Sequence, residues 1–146
     1  MNNQMELAFL AVPENEAFAR MVISAFLVRI NPALSMISEV RTAVSEAVTN
    51  AVVHAYEGSG RGRIEMRASI DERRVLIEVE DFGRGIEDVG QAMQPFFTSQ
   101  PDQERTGMGF SLMLSFMDGV QVESAAGKGT RIKMTKLIQN EDEELL

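Results

Sequence analysis

Ser45-Glu46-Ala47-Val48-Thr49-Asn50-Ala51-Val52-Val53-His54-Ala55 is the stretch that decides how the rest of this chain is read. Val40, Val44, Ala47, Val48, Ala51 and Val52 recur at spacings of three and four, which makes one apolar stripe on a helix. Glu46 and Asn50 lie four apart, so they stack on one flank of that helix, a turn from each other. A carboxylate and a carboxamide held in that way suit a proton acceptor and a ligand for a hard cation. The same spacing also describes an amphipathic helix with two ordinary surface residues. The glycine-rich company further along the chain separates the two readings.

Downstream, Ile64, Met66, Ala68 and Ile70 alternate with Arg63, Glu65, Arg67 and Ser69, the pattern of a half-buried strand. Asp71-Glu72-Arg73 turns the chain, and Val75, Ile77 and Val79 form the inward face of a second strand paired antiparallel to the first. That strand ends in Asp81-Phe82-Gly83-Arg84-Gly85. The glycines allow close backbone approach, and the acid can accept a hydrogen bond from an amine. Ile86 to Met93 predicts a short helix, and Gln94 to Asp102 a long loop anchored by Phe96 and Phe97. Arg105-Thr106-Gly107-Met108-Gly109-Phe110 closes that loop and opens a helix over 110–117, where backbone N–H groups suit an anion and Arg105 adds a permanent charge. Strands around 120–124 and 130–137 follow, joined by Gly127-Lys128-Gly129-Thr130. No P-loop motif and no Gly-x-Gly-x-x-Gly motif occurs.

Upstream, Met5 to Val12 reads as a strand, and Pro13-Glu14 as the start of a helix running to about Arg29. Asn31-Pro32 breaks that helix; the central helix spans about 36–56, with Gly58 as its stop. The first helix carries more apolar surface than one buried face requires. Phe18, Val22, Ala25 and Phe26 share a side that Met21 and Val28 extend one way and Ile23 and Leu27 the other. Arg20 and Ser24 occupy the narrow polar sector that remains. Either the helix is sunk deep in its own core or it meets a second chain.

With 146 residues, 45% of them hydrophobic and 25% charged, the composition is that of one globular domain. The absence of cysteine fits a reducing, cytoplasmic setting. No signal peptide and no membrane-spanning run is expected. A net charge of −8 argues against direct DNA binding. Part of it is local, since Glu141, Asp142, Glu143 and Glu144 sit together in an acidic tail expected to be solvated and frayed. The expected organisation is one domain over 1–138 and that tail over 139–146. His54, one turn beyond Asn50, is read as structural, and the ten methionines as core filler.

The order Glu46-x-x-x-Asn50-Ala51, Asp81-x-Gly83-x-Gly85, Pro95-Phe96-Phe97-Thr98, Gly107-x-Gly109-Phe110, Gly127-x-Gly129-Thr130 resembles the ATP-binding fold shared by DNA gyrase, heat-shock protein 90, histidine kinases and mismatch-repair ATPases. The resemblance covers about residues 36–137. Within that group the form SEAVTNAVVHAY is similar to the bacterial anti-sigma factor serine kinases, more to the sporulation branch than to the general-stress branch.

The resemblance implies a two-layer α/β sandwich of the histidine-kinase-like ATPase type, with a mixed, mostly antiparallel sheet and three main helices on one face. It implies ATP and Mg²⁺ as cofactors. Glu46 would be the general base toward a serine hydroxyl, and Asn50 the Mg²⁺ ligand. Asp81 would accept from the adenine amine with Thr130 near it, while Gly83 and Gly85 would pass close to the nucleotide. Thr98 belongs to the nucleotide-binding set, in a lid over residues 96–107 hinged at Gly107 and Gly109. Arg105 would contact the γ-phosphate. The implied partners are a sigma factor, an anti-anti-sigma protein as phosphorylation substrate, and a second copy of the chain. Arg20, in the crowded first helix, is expected to touch the sigma factor. The competing reading is a nucleotide-gated inhibitor without turnover.

Overall fold

The computed structural model describes residues 2–86, 89–92 and 109–140. Among them run β1 (Asn2–Leu10), α1 (Glu14–Leu27), α2 (Leu34–Asn50), β2 (Arg63–Asp71), β3 (Arg74–Asp81), α3 (Val89–Ala92), α4 (Gly109–Phe116), β4 (Gly119–Ala125) and β5 (Gly129–Leu137). The strands form one five-stranded sheet in the order β1-β2-β3-β5-β4. Every pairing is antiparallel, which sharpens the expectation of a mostly antiparallel sheet. Helices α1, α2 and α4 form the second layer, with α2 in the middle.

Period-two alternation sends Ile64, Met66, Ala68 and Ile70 of β2, and Val75, Ile77 and Val79 of β3, to one face. There they join Ile132 and Met134 of β5 and, from the helices, Ile23, Leu27, Val40, Val44 and Val48. The opposite face carries charge in matched register. Arg67 stands between Glu6 on β1 and Glu78 on β3, and it reaches Glu78 at 3.1 Å and Glu80 at 2.7 Å. Arg131 and Lys133 continue the alternation to Glu123 on β4. Opposite charges directly across a sheet favour this register over a slipped one.

Helix α1 starts as the sequence predicts, with Pro13 at its N-cap, but it is shorter. A 3₁₀ turn over Val28–Ile30 ends it, and Asn31 adopts φ 48°. It buries Ala19, Ile23 and Leu27 against the core while Phe18, Met21 and Val28 stay exposed, at 46%, 67% and 62%. So the helix is not sunk in its own core, and a large part of its apolar surface faces outward. Helix α2 differs more. It is α-helical only to Asn50, and Ala51–Ala55 form a π turn before the chain closes on Glu57 and Gly58, both at positive φ. No proline or glycine forecasts that change of pitch.

At the other end of α2, Lys136 points from β5 into the helix layer. Its ammonium lies 2.9 Å from Glu39 and donates to the carbonyl of Phe116, the last residue of α4. The Lys136 side chain is 7% exposed and that of Glu39 34%. Removing the carboxylate therefore strands a buried charge, whereas removing the ammonium leaves a carboxylate that water reaches. Glu39→Leu should cost about 3 kcal/mol and Lys136→Met about 1 kcal/mol or less in urea unfolding. Equal losses would contradict this account of the pair.

Candidate functional site

The C-terminal end of α2 meets the turn that follows β3. The backbone N–H of Arg84 donates to the carbonyl of Ala55 at 3.1 Å. Tyr56, just past the π turn, accepts from the N–H of Phe82 at 2.7 Å and donates to the carbonyl of Arg63 at 2.6 Å. A Cβ on Gly83 would run into the Ala55 carbonyl, so this close approach requires glycine. The turn after β3 is thus clamped to the helix that carries Glu46 and Asn50. Both of those residues are half-buried, and Asn50 is the last α-helical residue before the π turn. Helical spacing keeps them on one flank.

Asp81 closes β3 on the helix-facing side and is 4% exposed. The N–H groups of Gly83 and Thr130 both donate to its Oδ1, at 3.1 and 3.2 Å, which leaves Oδ2 to take a further donor. Burial raises its pKa from 3.8 to about 6, against the lowering effect of those two bonds and with a small push from Glu80. Thr130 sits directly across from Asp81 on β5, also 4% exposed, with Ser124 of β4 across from it in turn. Gly129, at φ 86°, lets β5 begin hard against the Asp81 carbonyl. Gly85, at φ 76°, lies against the β4–β5 turn, where Gly127 N–H donates to Arg84 O at 2.6 Å.

A buried carboxylate with an uncommitted oxygen suits a ligand amine. The side-chain oxygen of Asn50 is a neutral donor of the kind that suits a hard cation. Among the described residues no cluster of three acidic or histidine side chains could hold a metal. A cation brought in with oxygen ligands of its own, as Mg²⁺ bound to phosphates is, would ask little more of these described residues.

Of the predicted site residues, Glu46, Asn50, Asp81, Gly83, Gly85 and Thr130 belong to this region. Gly109 is the first residue of α4. Thr98, Arg105 and Gly107, with the expected lid, lie outside the described residues. Arg20 stands apart on α1, its Nε 2.7 Å from Glu16. Sequence reasoning passed over three residues. Glu16 also accepts from Ser45, so it ties Arg20 to the residue next to Glu46. Tyr56 clamps the Phe82 amide, and Ser124 bonds Thr130. Glu16 and Arg20 were legible as an i, i+4 pair; nothing local announces Tyr56 or Ser124.

The sequence profile of the histidine kinase-like ATPase domain matches residues 9–136. An anti-sigma F factor from Caldanaerobacter subterraneus subsp. tengcongensis is 53% identical over 94% of this chain and 95% of its own length. One from Clostridium acetobutylicum is 52% identical over 93% and 94%. The chain belongs to the anti-sigma F factors of the histidine kinase-like ATPase family. Solved structures agree in fold. The RsbU and RsbW domains of Rv1364c from Mycobacterium tuberculosis superpose with a TM-score of 0.68 at 20% identity, over 93% of this chain and 32% of that one. The catalytic domain of the histidine kinase ThkA superposes with 0.59 at 14%, over 94% and 98%. Among the described residues no helix is long and apolar enough to cross a membrane.

The raised pKa of Asp81 carries a sign. Between about pH 4 and pH 6 the folded chain keeps a proton that the unfolded chain has released. This contribution to stability is full below that window and is lost as pH rises through it. Asp81→Asn should therefore stabilise the protein at pH 7, by up to roughly 3 kcal/mol, and leave it unchanged near pH 3. Urea titrations at the two pH values check this; equal effects at both would remove burial as the cause.

Proposed function

We propose that this chain binds ATP with Mg²⁺ in the site between α2 and the β3 turn, phosphorylates a serine of an anti-anti-sigma protein, and sequesters a sporulation sigma factor of the F type in the cytoplasm. The observation that carries the nucleotide reading is Asp81, a buried carboxylate with one oxygen already bonded and the other left for an amine. The names of its relatives, at about half identity over nearly their full length, support the sigma-factor partner.

Asp81 accepts from the adenine amine, and Gly83 and Gly85 keep the turn close to the base. Asn50 would hold the cation through its side-chain oxygen. Mg²⁺, when bound, neutralises charge on the phosphates and fixes their orientation. Glu46, one helical turn back, takes the proton from the attacking serine hydroxyl as the oxygen bonds to the γ-phosphorus and the bond to ADP breaks. Thr98, Arg105, Gly107 and Gly109 complete the phosphate side, with Arg105 on the γ-phosphate. This division suits phosphoryl transfer, which needs positioning and charge neutralisation more than covalent help. The exposed Phe18, Met21 and Val28 on α1, and separately the edge position of β1 in the sheet, support a homodimer. Arg20, held by Glu16 on that helix, contacts the sigma factor.

A transfer assay with labelled ATP, Mg²⁺ and the anti-anti-sigma protein, read by mass spectrometry, tests the kinase. Label should appear on one serine of the partner. Glu46→Gln should lower transfer by roughly 10²-fold or more, while ATP and sigma-factor affinities stay within about threefold. Tight ATP binding without any transfer by the parent chain would favour the gated inhibitor.

Arg20→Glu should weaken the sigma complex by about tenfold or more, because it reverses a charge and sets two acids a turn apart. ATP affinity should not move. Isothermal titration with each ligand separates the two, and an unchanged sigma affinity would remove Arg20 from the interface.

A further inference from the structure

We propose that Ser124 makes the site selective for a 6-amino purine by fixing the Thr130 hydroxyl as a hydrogen-bond acceptor. The inference rests on the nucleotide-binding reading and adds a residue that acts through Thr130.

Asp81, Thr130 and Ser124 occupy one lateral row across β3, β5 and β4. Ser124 Oγ makes three contacts. It accepts from the N–H of Ile86 at 2.7 Å. It lies 2.9 Å from the carbonyl of Gly129 and 2.8 Å from Thr130 Oγ1. A serine hydroxyl has one proton and two acceptor positions. The amide of Ile86 can only donate and the carbonyl of Gly129 can only accept. The single proton of Ser124 must therefore point at Gly129, since otherwise two bare oxygens would face each other. Ile86 fills one acceptor position, and the other is left for Thr130. Thr130 must then donate to Ser124, so its own proton is used.

The consequence falls on the ligand side. With its proton committed, Thr130 Oγ1 has only lone pairs to offer. Asp81, directly across the row, is also an acceptor when ionised. Two acceptors side by side fit a purine whose 6-position carries an N–H donor, as adenine does. They oppose one whose 6-position carries a carbonyl oxygen, which would be buried without a donor. The choice between the two bases is set by a serine on a neighbouring strand. The Ile86 amide also ties this serine to the segment following Gly85, so the same hydroxyl holds the turn and sets the polarity.

Inosine triphosphate replaces the 6-amine by a carbonyl, turns N1 from an acceptor into an N–H donor and adds no 2-amino group. The N1 change is common to every chain compared, so the shift in preference between parent and variant reports the 6-position. The probes are ATP and inosine triphosphate, with affinities measured by calorimetry on the full chain in Mg²⁺. The parent chain should prefer ATP. In Ser124→Ala the Thr130 proton is released and can turn to a carbonyl, so the preference should fall by roughly tenfold, with inosine triphosphate binding more tightly than to the parent. Ser124→Thr keeps the hydroxyl and should restore the preference. Thr130→Val removes the acceptor without supplying a donor, so ATP should weaken while inosine triphosphate does not change. The inference is overturned if Ser124→Ala weakens both nucleotides together at a constant ratio, if the parent chain binds them equally, or if Thr130→Val weakens both alike. If the parent chain binds neither nucleotide, the proposed function itself has failed.

Discussion

The contact between the end of α2 and the turn after β3 is the interaction on which the site depends. Glu46 and Asn50 belong to a helix, Asp81 to a strand, and some 30 residues of chain separate the two groups. Two backbone groups of the turn bond back to the helix end, Arg84 N–H to the Ala55 carbonyl and Phe82 N–H to the Tyr56 hydroxyl. The π turn over Ala51–Ala55 makes this junction. It accommodates an extra residue per turn, so the carbonyl of Ala51 is met by the N–H of Tyr56 rather than by that of Ala55. Such insertions recur where a helix serves a functional site, and this one begins at the residue after Asn50.

A one-sided sheet imposes the rest of the arrangement. All the apolar faces of the strands turn toward α1, α2 and α4, so any polar group on that face is costly unless it is bonded. Three are present among the buried residues, Asp81, Thr130 and Lys136. Lys136 is matched by Glu39 and by the end of α4. Thr130 is matched by Ser124, and Asp81 is bonded on one oxygen only. The incompletely matched group is the one assigned to a ligand, and its raised pKa is the electrostatic trace of that burial. The far face of the sheet has the opposite character. Its charges pair strand by strand, so it presents a surface of matched charge. Apolar surface is left over on α1 instead, where Phe18, Met21 and Val28 face outward.

Much of the fold was legible because periodicity survives in local sequence. The alternation at Ile64–Ile70 and Val75–Val79 gave two strands with the correct inward faces, and the antiparallel hairpin followed from the short turn between them. The three- and four-residue spacing from Val40 to Val52 located α2 and placed Glu46 and Asn50 on one flank. The glycines at 83, 85 and 129 were visible as a pattern, but not the separate surfaces they approach. Gly83 meets a carbonyl from α2, and Gly129 one from β3. The change from α to π pitch was not legible, because Ala51-Val52-Val53-His54-Ala55 has no residue that forces it.

By itself the sequence determined the elements, the inward faces of the strands, the helical pairing of Glu46 with Asn50 and the order of motifs that marks the family. Each of these is encoded at spacings of two to four residues, or by residue type at one position. Only the tertiary structure decided that Asp81, Thr130 and Ser124 form one row, that Tyr56 clamps the turn after β3, and that Glu16 joins Arg20 to Ser45. Those relations depend on strand order and on how a helix end lands on a sheet. They bring together residues from separate elements, and no local pattern carries that information.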